Sequence, residues 1–138
     1  MNKIIFDATI LKYMSVFSYA TKVQPRDCIN DELGVLFIVP QGEIARALGT
    51  GGRNIRHVEN IIKKKVRVLE FQDNLIMFLE HLSYPARVKE IRQDQDTVFI
   101  TALDGQSRGQ LIGRNASNLR HMESIAKRYF TFKEIKVN

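Results

Sequence analysis

Cysteine is almost missing from this sequence, since Cys28 is the only one among 138 residues. A single thiol cannot form an intramolecular disulfide, and it cannot supply the several thiolates of a structural zinc site. The sequence therefore excludes the class of small proteins that disulfides hold together. We expect an intracellular protein that holds no metal and no cofactor.

Long apolar segments are missing as well. No segment approaches the roughly 20 apolar residues that cross a membrane as a helix. The first residues, 1–6, form a short apolar stretch followed by Asp7, without the basic region and longer apolar core of a signal peptide. We expect a cytoplasmic protein with no membrane partner.

Positive charge, by contrast, is in excess. The chain has 21 Lys and Arg against 15 Asp and Glu, a formal net charge of +6, and a sequence pI near 9.6. Apolar residues make up 44% of the chain, which is enough for packed cores. The charge favours an anionic partner without identifying it.

Hydrophobic spacing and turn residues predict one order of elements, written twice. In the first copy we predict a helix at residues 8–20, strands at 27–29 and 35–39, a short helix before residue 49, a helix at 53–64 and a strand at 66–71. In the second copy we predict a helix at 74–82, strands at 86–91 and 97–103, a short helix after residue 105, a helix at 117–129 and a strand at 132–137.

The two copies are related by a shift of 64 positions without a gap. This shift places Gly49 on Gly113, Asn54 on Asn118, Arg56 on Arg120, His57 on His121, Glu59 on Glu123, Ile61 on Ile125 and Lys63 on Lys127. It also places the strand at 35–39 on residues 99–103. The repeat is longer than most solenoid periods and mixes helices with strands, so it predicts two similar domains, at residues 1–72 and 73–138.

Each copy carries a glycine-containing loop between two helices, at residues 49–52 and 113–116. Glycine permits positive φ and close approach of another molecule to the main chain. The unpaired amides and the dipole of the following helix favour a phosphate at this position. No Gly-Lys-Ser/Thr follows either loop, and Asn54 stands where a dinucleotide fingerprint needs its last small residue, so these two nucleotide-binding motifs are excluded.

A strand, a helix, a GxxG loop, a helix and a strand in this order resemble the core of the KH domain, which binds single-stranded nucleic acid over about four nucleotides. The leading helix and strand resemble the type II arrangement. The segments ALGTGGRNIRHVENIIKKKVRVLEF and LIGRNASNLRHMESIAKRYFTFKEIKV, side by side in one short chain, resemble archaeal NusA-type transcription factors.

The resemblance implies an α+β fold of two tandem type II KH domains, each a small three-stranded sheet covered by helices. It implies a non-enzymatic protein that binds single-stranded RNA during transcription elongation or termination, with RNA polymerase or other transcription factors as further partners. The RNA-binding candidates are Arg46, Gly49, Thr50, Gly51, Gly52, Arg53, Asn54, Arg56, Arg108, Gly113, Arg114, Asn115, Ala116, Asn118 and Arg120. Candidates for an apolar groove that receives bases are Ile38, Ile44, Leu48, Ile55, Ala102, Ile112 and Leu119.

The second loop departs from the GxxG pattern, because Ala116 replaces its final glycine, whereas the first loop has the neutral Thr50 where a basic residue is common. Two other functions stay open. KH modules also occur in ribosome-associated proteins, and a glycine loop could hold the phosphorylated ligand of a small enzyme. The chain shows no nucleophile with a base, which ranks the enzyme last. For Glu59 and Glu123, ion pairs on the helix face are expected.

Overall fold

The computed structural model describes residues 7–138. The expectation that the chain does not begin with a targeting signal concerns residues 1–6, which lie outside this range. The chain divides into two compact units, of which the first ends at Phe71 and the second begins at Gln72. Among the described residues no helix is both long enough and apolar enough to cross a membrane.

The first unit has the order helix, two strands, two helices, strand. Its elements are α1 (Ala8–Thr21), β1 (Asp27–Asp31), β2 (Gly34–Val39), α2 (Ile44–Leu48), α3 (Arg53–Ile62) and β3 (Val66–Glu70). Strand β2 lies in the centre of the sheet, antiparallel to β1 and parallel to β3. The helix predicted from Asp7 is confirmed, because the Asp7 carboxylate accepts a hydrogen bond from the N–H of Ile10.

The second unit repeats this order. Its elements are α4 (Leu75–Ser83), β4 (Val88–Asp94), β5 (Thr97–Ala102), α5 (Gly105–Ile112), α6 (Ser117–Ala126) and β6 (Glu134–Val137). Strand β5 is central, antiparallel to β4 and parallel to β6. Two three-stranded sheets, each with three helices in the type II KH order, confirm the predicted α+β fold class.

The core of the first unit forms between its sheet and its helices. Phe17 of α1 stacks on Phe37 of β2, with ring centroids 4.3 Å apart. Met14, Ala47 and Val58 belong to the same buried cluster. Such an aromatic pair contributes about 0.5–1.5 kcal/mol beyond the burial of its area. These contacts fix α1 and α3 over the sheet, and α3 is the helix that follows the first loop.

In the second unit the corresponding aromatic contacts come from α4 and from the segment after α6. The ring centroid of Phe78 lies 5.5 Å from those of Tyr129 and Phe130. Val98 and Ile100 of β5 are fully buried. Helix α6 is thereby held in the place that α3 has in the first unit.

The alignment of the central strands corrects the ungapped repeat. The hairpin in the first unit closes at Asp31 and Gly34, and that in the second at Asp94 and Thr97, which is a shift of 63 (97 − 34) rather than 64. A shift of one residue in a strand exchanges its two faces. The placement of residues 35–39 on 99–103 is therefore wrong by one position, and the second unit has one additional residue between β5 and its loop.

Several element ends also differ from the predictions. Helix α3 ends at Ile62, where Lys63 takes φ 60° and ends the helix in the left-handed conformation. Helix α6 ends at Ala126 rather than near residue 129, and β6 begins at Glu134. Strand β4 starts two residues later than predicted and continues to Asp94. Helices α3 and α6, which follow the two loops, nevertheless match each other in length, since each has ten residues.

Two glutamates connect the loop-following helices to the sheets. Glu59 Oε2 accepts the N–H of Val66 at 2.9 Å, and Glu123 Oε2 accepts the N–H of Ile135 at 2.7 Å. The ion pair on the helix face expected for Glu123 is confirmed, because its Oε1 accepts from Arg120 at 3.0 Å. The bond from each carboxylate to a strand amide was not predicted, and it fixes both helices at their distal ends.

Helix α5 provides a test of stability against pH. The Asp104 carboxylate accepts the N–H of Ser107 and pairs with Arg87. The hydrogen bonds from Ser107 are the main cause that holds the pKa of Asp104 below its ordinary value, and Arg87 acts in the same direction. A lowered pKa stabilises the fold above the ordinary aspartate pKa of about 3.9, and this contribution disappears as the pH falls through the lower folded value.

We therefore predict that Asp104→Ala lowers the melting temperature at neutral pH and that its difference from wild type narrows below about pH 3.9. Thermal unfolding followed by circular dichroism across this pH range measures the effect. Asp73→Asn, at an exposed position, is the control and should leave the melting temperature at neutral pH close to that of wild type. A difference that stays constant with pH would contradict the role of the charge.

Candidate functional site

The first loop turns the chain from α2 into α3 through three positive-φ glycines. Gly49 has φ 74° and ψ 173°, and Gly51 and Gly52 follow at φ 61° and 76°. The N–H of Gly52 donates to the carbonyl of Gly49 at 3.2 Å. A Cβ built on Gly51 meets nothing within 4 Å, so the outer side of the loop is open to another molecule.

The second loop has the same backbone path although two of its three positive-φ residues are not glycine. Gly113 has φ 73° and ψ 177°, and Asn115 and Ala116 take φ 56° and 61°. The N–H of Ala116 donates to the carbonyl of Gly113 at 3.2 Å, as in the first loop. An alanine in the left-handed region costs about 1 kcal/mol. Ala116 in place of the final glycine therefore adds strain and a methyl group, and the turn keeps its shape.

Both loops lead into helices whose first amides have no side-chain cap. Helices α1, α4 and α5 begin with Asp7, Asn74 and Asp104, each of which accepts a backbone N–H of the first turn. Helices α3 and α6 begin after Gly52 and Ala116, and neither residue provides a side-chain acceptor. The first amide of each helix is used by the loop itself, since the N–H of Arg53 donates to the Thr50 carbonyl and that of Ser117 donates to the Arg114 carbonyl. The following first-turn amides and the helix dipole are left without a side-chain acceptor.

Arginines surround each loop, and their partners differ. Arg56 donates to the carbonyl of Gly51 at 2.5 Å, whereas its counterpart Arg120 pairs with Glu123. Arg46 is exposed and lies 3.5 Å from the Glu43 carboxylate. Among the arginines next to the two loops, Arg53, Arg108 and Arg114 are exposed and form no ion pair within residues 7–138.

The two asparagines predicted to bind RNA use their side-chain amides within the protein, although Asn54 is half-buried and Asn118 is exposed. The Nδ2 of Asn54 donates to the carbonyl of Arg46 at 3.0 Å, and that of Asn118 donates to the carbonyl of Gln110 at 2.9 Å. Each amide also lies against the glycine that opens its loop. A Cβ on Gly49 would be 2.8 Å from Asn54 Cγ, too close for any residue with a side chain.

The apolar groove candidates divide between surface and core. Leu48 is exposed, and Ile44, Ile55, Ile112 and Ala102 are half-buried, so these five can meet a ligand. Ile38 is fully buried. It lies on the face of β2 opposite Phe37, since alternate residues of a strand point to opposite faces, and its prediction as a groove residue is wrong. Leu119 is buried at 8% exposure and belongs to the core, which corrects that prediction too.

Other polar residues in the described part of the chain form no second candidate site. No three of its His, Cys, Asp and Glu side chains come together in a way that could hold a metal ion. Lys64, at the distal end of α3, donates to the side chain of Asn30. Cys28 is buried, as its position on an apolar strand predicts.

The chain is similar over nearly its whole length to archaeal proteins named probable transcription termination protein NusA. The protein from Halococcus morrhuae is 27% identical, over 98% of this chain and 99% of the relative. The protein from Methanocaldococcus jannaschii is 26% identical, over 99% of this chain and 76% of the relative. The protein from Thermoplasma acidophilum is 22% identical, over 99% and 97%.

Among solved structures, the crystal structure of APE1850 is similar to this chain with a TM-score of 0.75 and 25% identity. The similarity covers 96% of this chain and 100% of the other. No protein-family model matches the chain.

The strain in the second loop can be tested by exchanging glycine and alanine at equivalent positions. We predict that Ala116→Gly raises the free energy of unfolding by up to about 1 kcal/mol, because it removes a Cβ from the left-handed region. The reverse change, Gly52→Ala, lowers it by about 1 kcal/mol for the same reason. Urea denaturation of each variant measures both effects.

Gly109→Ala is the matched control. Gly109 lies in helix α5, and a Cβ there meets nothing within 4 Å, so this alanine should stabilise the helix by about 0.5–1 kcal/mol. A loss of stability in Ala116→Gly as large as that in Gly52→Ala would show that the second loop is not strained.

Proposed function

We propose that this chain, which is of the archaeal NusA type with two tandem KH domains, binds single-stranded RNA through both loops and acts in transcription on the nascent transcript. The relatives are named as termination proteins, and the role in elongation or termination comes to this chain with the same proposal. RNA polymerase or another transcription factor is the second partner that such a role requires.

The observation that carries the proposal is the recurrence of one phosphate-accepting arrangement. Each loop exposes main chain at positive φ, opens a helix without a side-chain cap and has exposed arginine beside it. Backbone N–H groups at the start of a helix donate hydrogen bonds to a bound anion, and arginine adds charge-assisted hydrogen bonds to phosphate. The half-buried Ile44 and Ile55 provide an apolar surface for a base next to the first loop.

A pair of negative charges in the first loop tests the RNA path. We predict that Thr50→Asp with Gly51→Asp weakens RNA binding by about thirtyfold, at about 1 kcal/mol for each new carboxylate that faces a phosphate. Aspartate tolerates the left-handed angles of Gly51 better than most residues, so the unit should stay folded. Fluorescence anisotropy with labelled single-stranded RNA measures affinity, and circular dichroism verifies the fold.

The control carries the same charge change on α1, as Thr9→Asp with Ser15→Asp, both at exposed positions. This control should bind RNA within about threefold of wild type, because exposed charges outside the loop are weakened by solvent and salt. Wild-type affinity should also fall steeply with added KCl, as backbone contacts release counterions. Equal affinities of the loop variant and the control would place RNA binding elsewhere.

Crosslinking of the protein to RNA in cells, followed by sequencing of the bound RNA, tests the role in transcription. We predict enrichment of nascent transcripts, because a transcription factor of this type meets RNA as it leaves the polymerase. Enrichment of mature ribosomal RNA together with copurification of ribosomal subunits would contradict this role and support a ribosome-associated protein. The loop variant described above is the control and should lose crosslinks of either kind.

A further inference from the structure

We propose that Asn54 and Asn118 are positioning residues, which hold the two loops in their binding shape by a hydrogen bond across each loop rather than by contact with RNA. The inference rests on the proposed RNA-binding function. It departs from the sequence-based expectation that both asparagines touch the nucleic acid.

The geometry places each asparagine between two helices. Asn54 lies in the first turn of α3 and donates to the carbonyl of Arg46 in the last turn of α2. Asn118 lies in the first turn of α6 and donates to the carbonyl of Gln110 in the last turn of α5. Carbonyls in the last turn of a helix have no partner within the helix, so each asparagine supplies the one they lack.

The same side chains also lie against the glycines that open the loops. A Cβ on Gly113 would lie 2.7 Å from Asn118 Cγ, and one on Gly49 would lie 2.8 Å from Asn54 Cγ. Real Cβ atoms do not approach other heavy atoms this closely. The glycine and the asparagine therefore form one contact that bridges the loop, and we call each of these pairs the Gly–Asn lock.

A comparison of the two loops distinguishes the effect of the Gly–Asn lock from the effect of the residues between its two members. Between the lock residues the first loop reads Thr-Gly-Gly-Arg and the second reads Arg-Asn-Ala-Ser, so no residue is shared. Their backbones agree nevertheless, with φ of 61° and 76° in the first against 56° and 61° in the second. Loop composition cannot explain this agreement, whereas the Gly–Asn lock is present in both units.

The lock explains how the loops can be pre-organised for a ligand. A loop that already has its bound shape loses little conformational entropy on binding, and a loosened loop loses more. One N–H of the Asn54 Nδ2 donates to the Arg46 carbonyl, which leaves only the second N–H of this amide for a ligand. The exchange measurement below distinguishes an effect of Asn54 through the loop from a direct contact by this second N–H.

Asn54→Ala tests the proposal by two measurements on the full chain. In RNA-free protein, amide hydrogen exchange at residues 50–53 should become about tenfold faster, because one hydrogen bond that closes the loop is lost. Affinity for a labelled single-stranded RNA of about 12 nucleotides and randomised sequence, longer than one KH site of about four, should fall by about threefold to tenfold. Asn118→Ala should produce the same changes at residues 114–117.

Asn60→Ala is the matched control, since Asn60 lies exposed on the same helix, and it should change neither measurement. Weaker RNA binding with unchanged exchange would overturn the proposal in favour of a direct contact. Faster exchange with unchanged RNA affinity would overturn it in favour of a purely structural role. If Asn54→Ala does not fold, Asn54→Ser and Asn118→Ala provide the same comparison.

If the proposed RNA-binding function is wrong, the experiments give a different result. In that case the wild-type protein itself would not bind the RNA probe, and the lock would be judged on hydrogen exchange in RNA-free protein alone. Unchanged exchange in both alanine variants would then overturn the lock as well.

Discussion

A chain that passes from one helix into the next through a four-residue turn must adopt backbone angles that most residues avoid. Both units satisfy this constraint with three positive-φ residues, at 49, 51 and 52 and at 113, 115 and 116. The turn places the start of the second helix at the surface with its amides uncapped. In the proposed RNA binding, the nearby arginines, the open outer side of the loop and the half-buried apolar residues depend on this shape of the turn.

The surrounding fold holds the loop-following helix from two sides. At the loop, the Gly–Asn lock ties its first turn to the preceding helix, and near its other end Glu59 or Glu123 accepts an amide of the next strand. A carboxylate bonded to a strand amide within a partly buried site is a strong contact, since charge-assisted hydrogen bonds exceed neutral ones. A phosphate docked on such a helix meets a surface that is already in place.

Much of this architecture could be predicted from the sequence, because the repeated loop and helix carry unmistakable pairs such as Gly49 with Gly113. The register of the central strands could not be predicted, since residues 35–39 are apolar on both faces. Hydrophobicity alone does not show which face meets the helices. The same ambiguity made Ile38 look like a groove residue. The hydrogen bond of Asn54 across its loop and the strand contact of Glu59 were also beyond reach, as both depend on atoms eight or seven residues apart.

The agreement of the two turns despite unrelated residues at 50–52 and 114–116 has a consequence for design. Since both loops keep one backbone path, residues 50–52 and 114–116 can differ in charge and hydrogen bonding, at a cost of about 1 kcal/mol where a Cβ stands in the left-handed region. Each unit thus carries a short loop segment that can be exchanged between the units while the flanking helices keep their positions. Transplanting Arg-Asn-Ala into the first unit, or Thr-Gly-Gly into the second, would alter what the surface offers a ligand while the helices beneath keep their places.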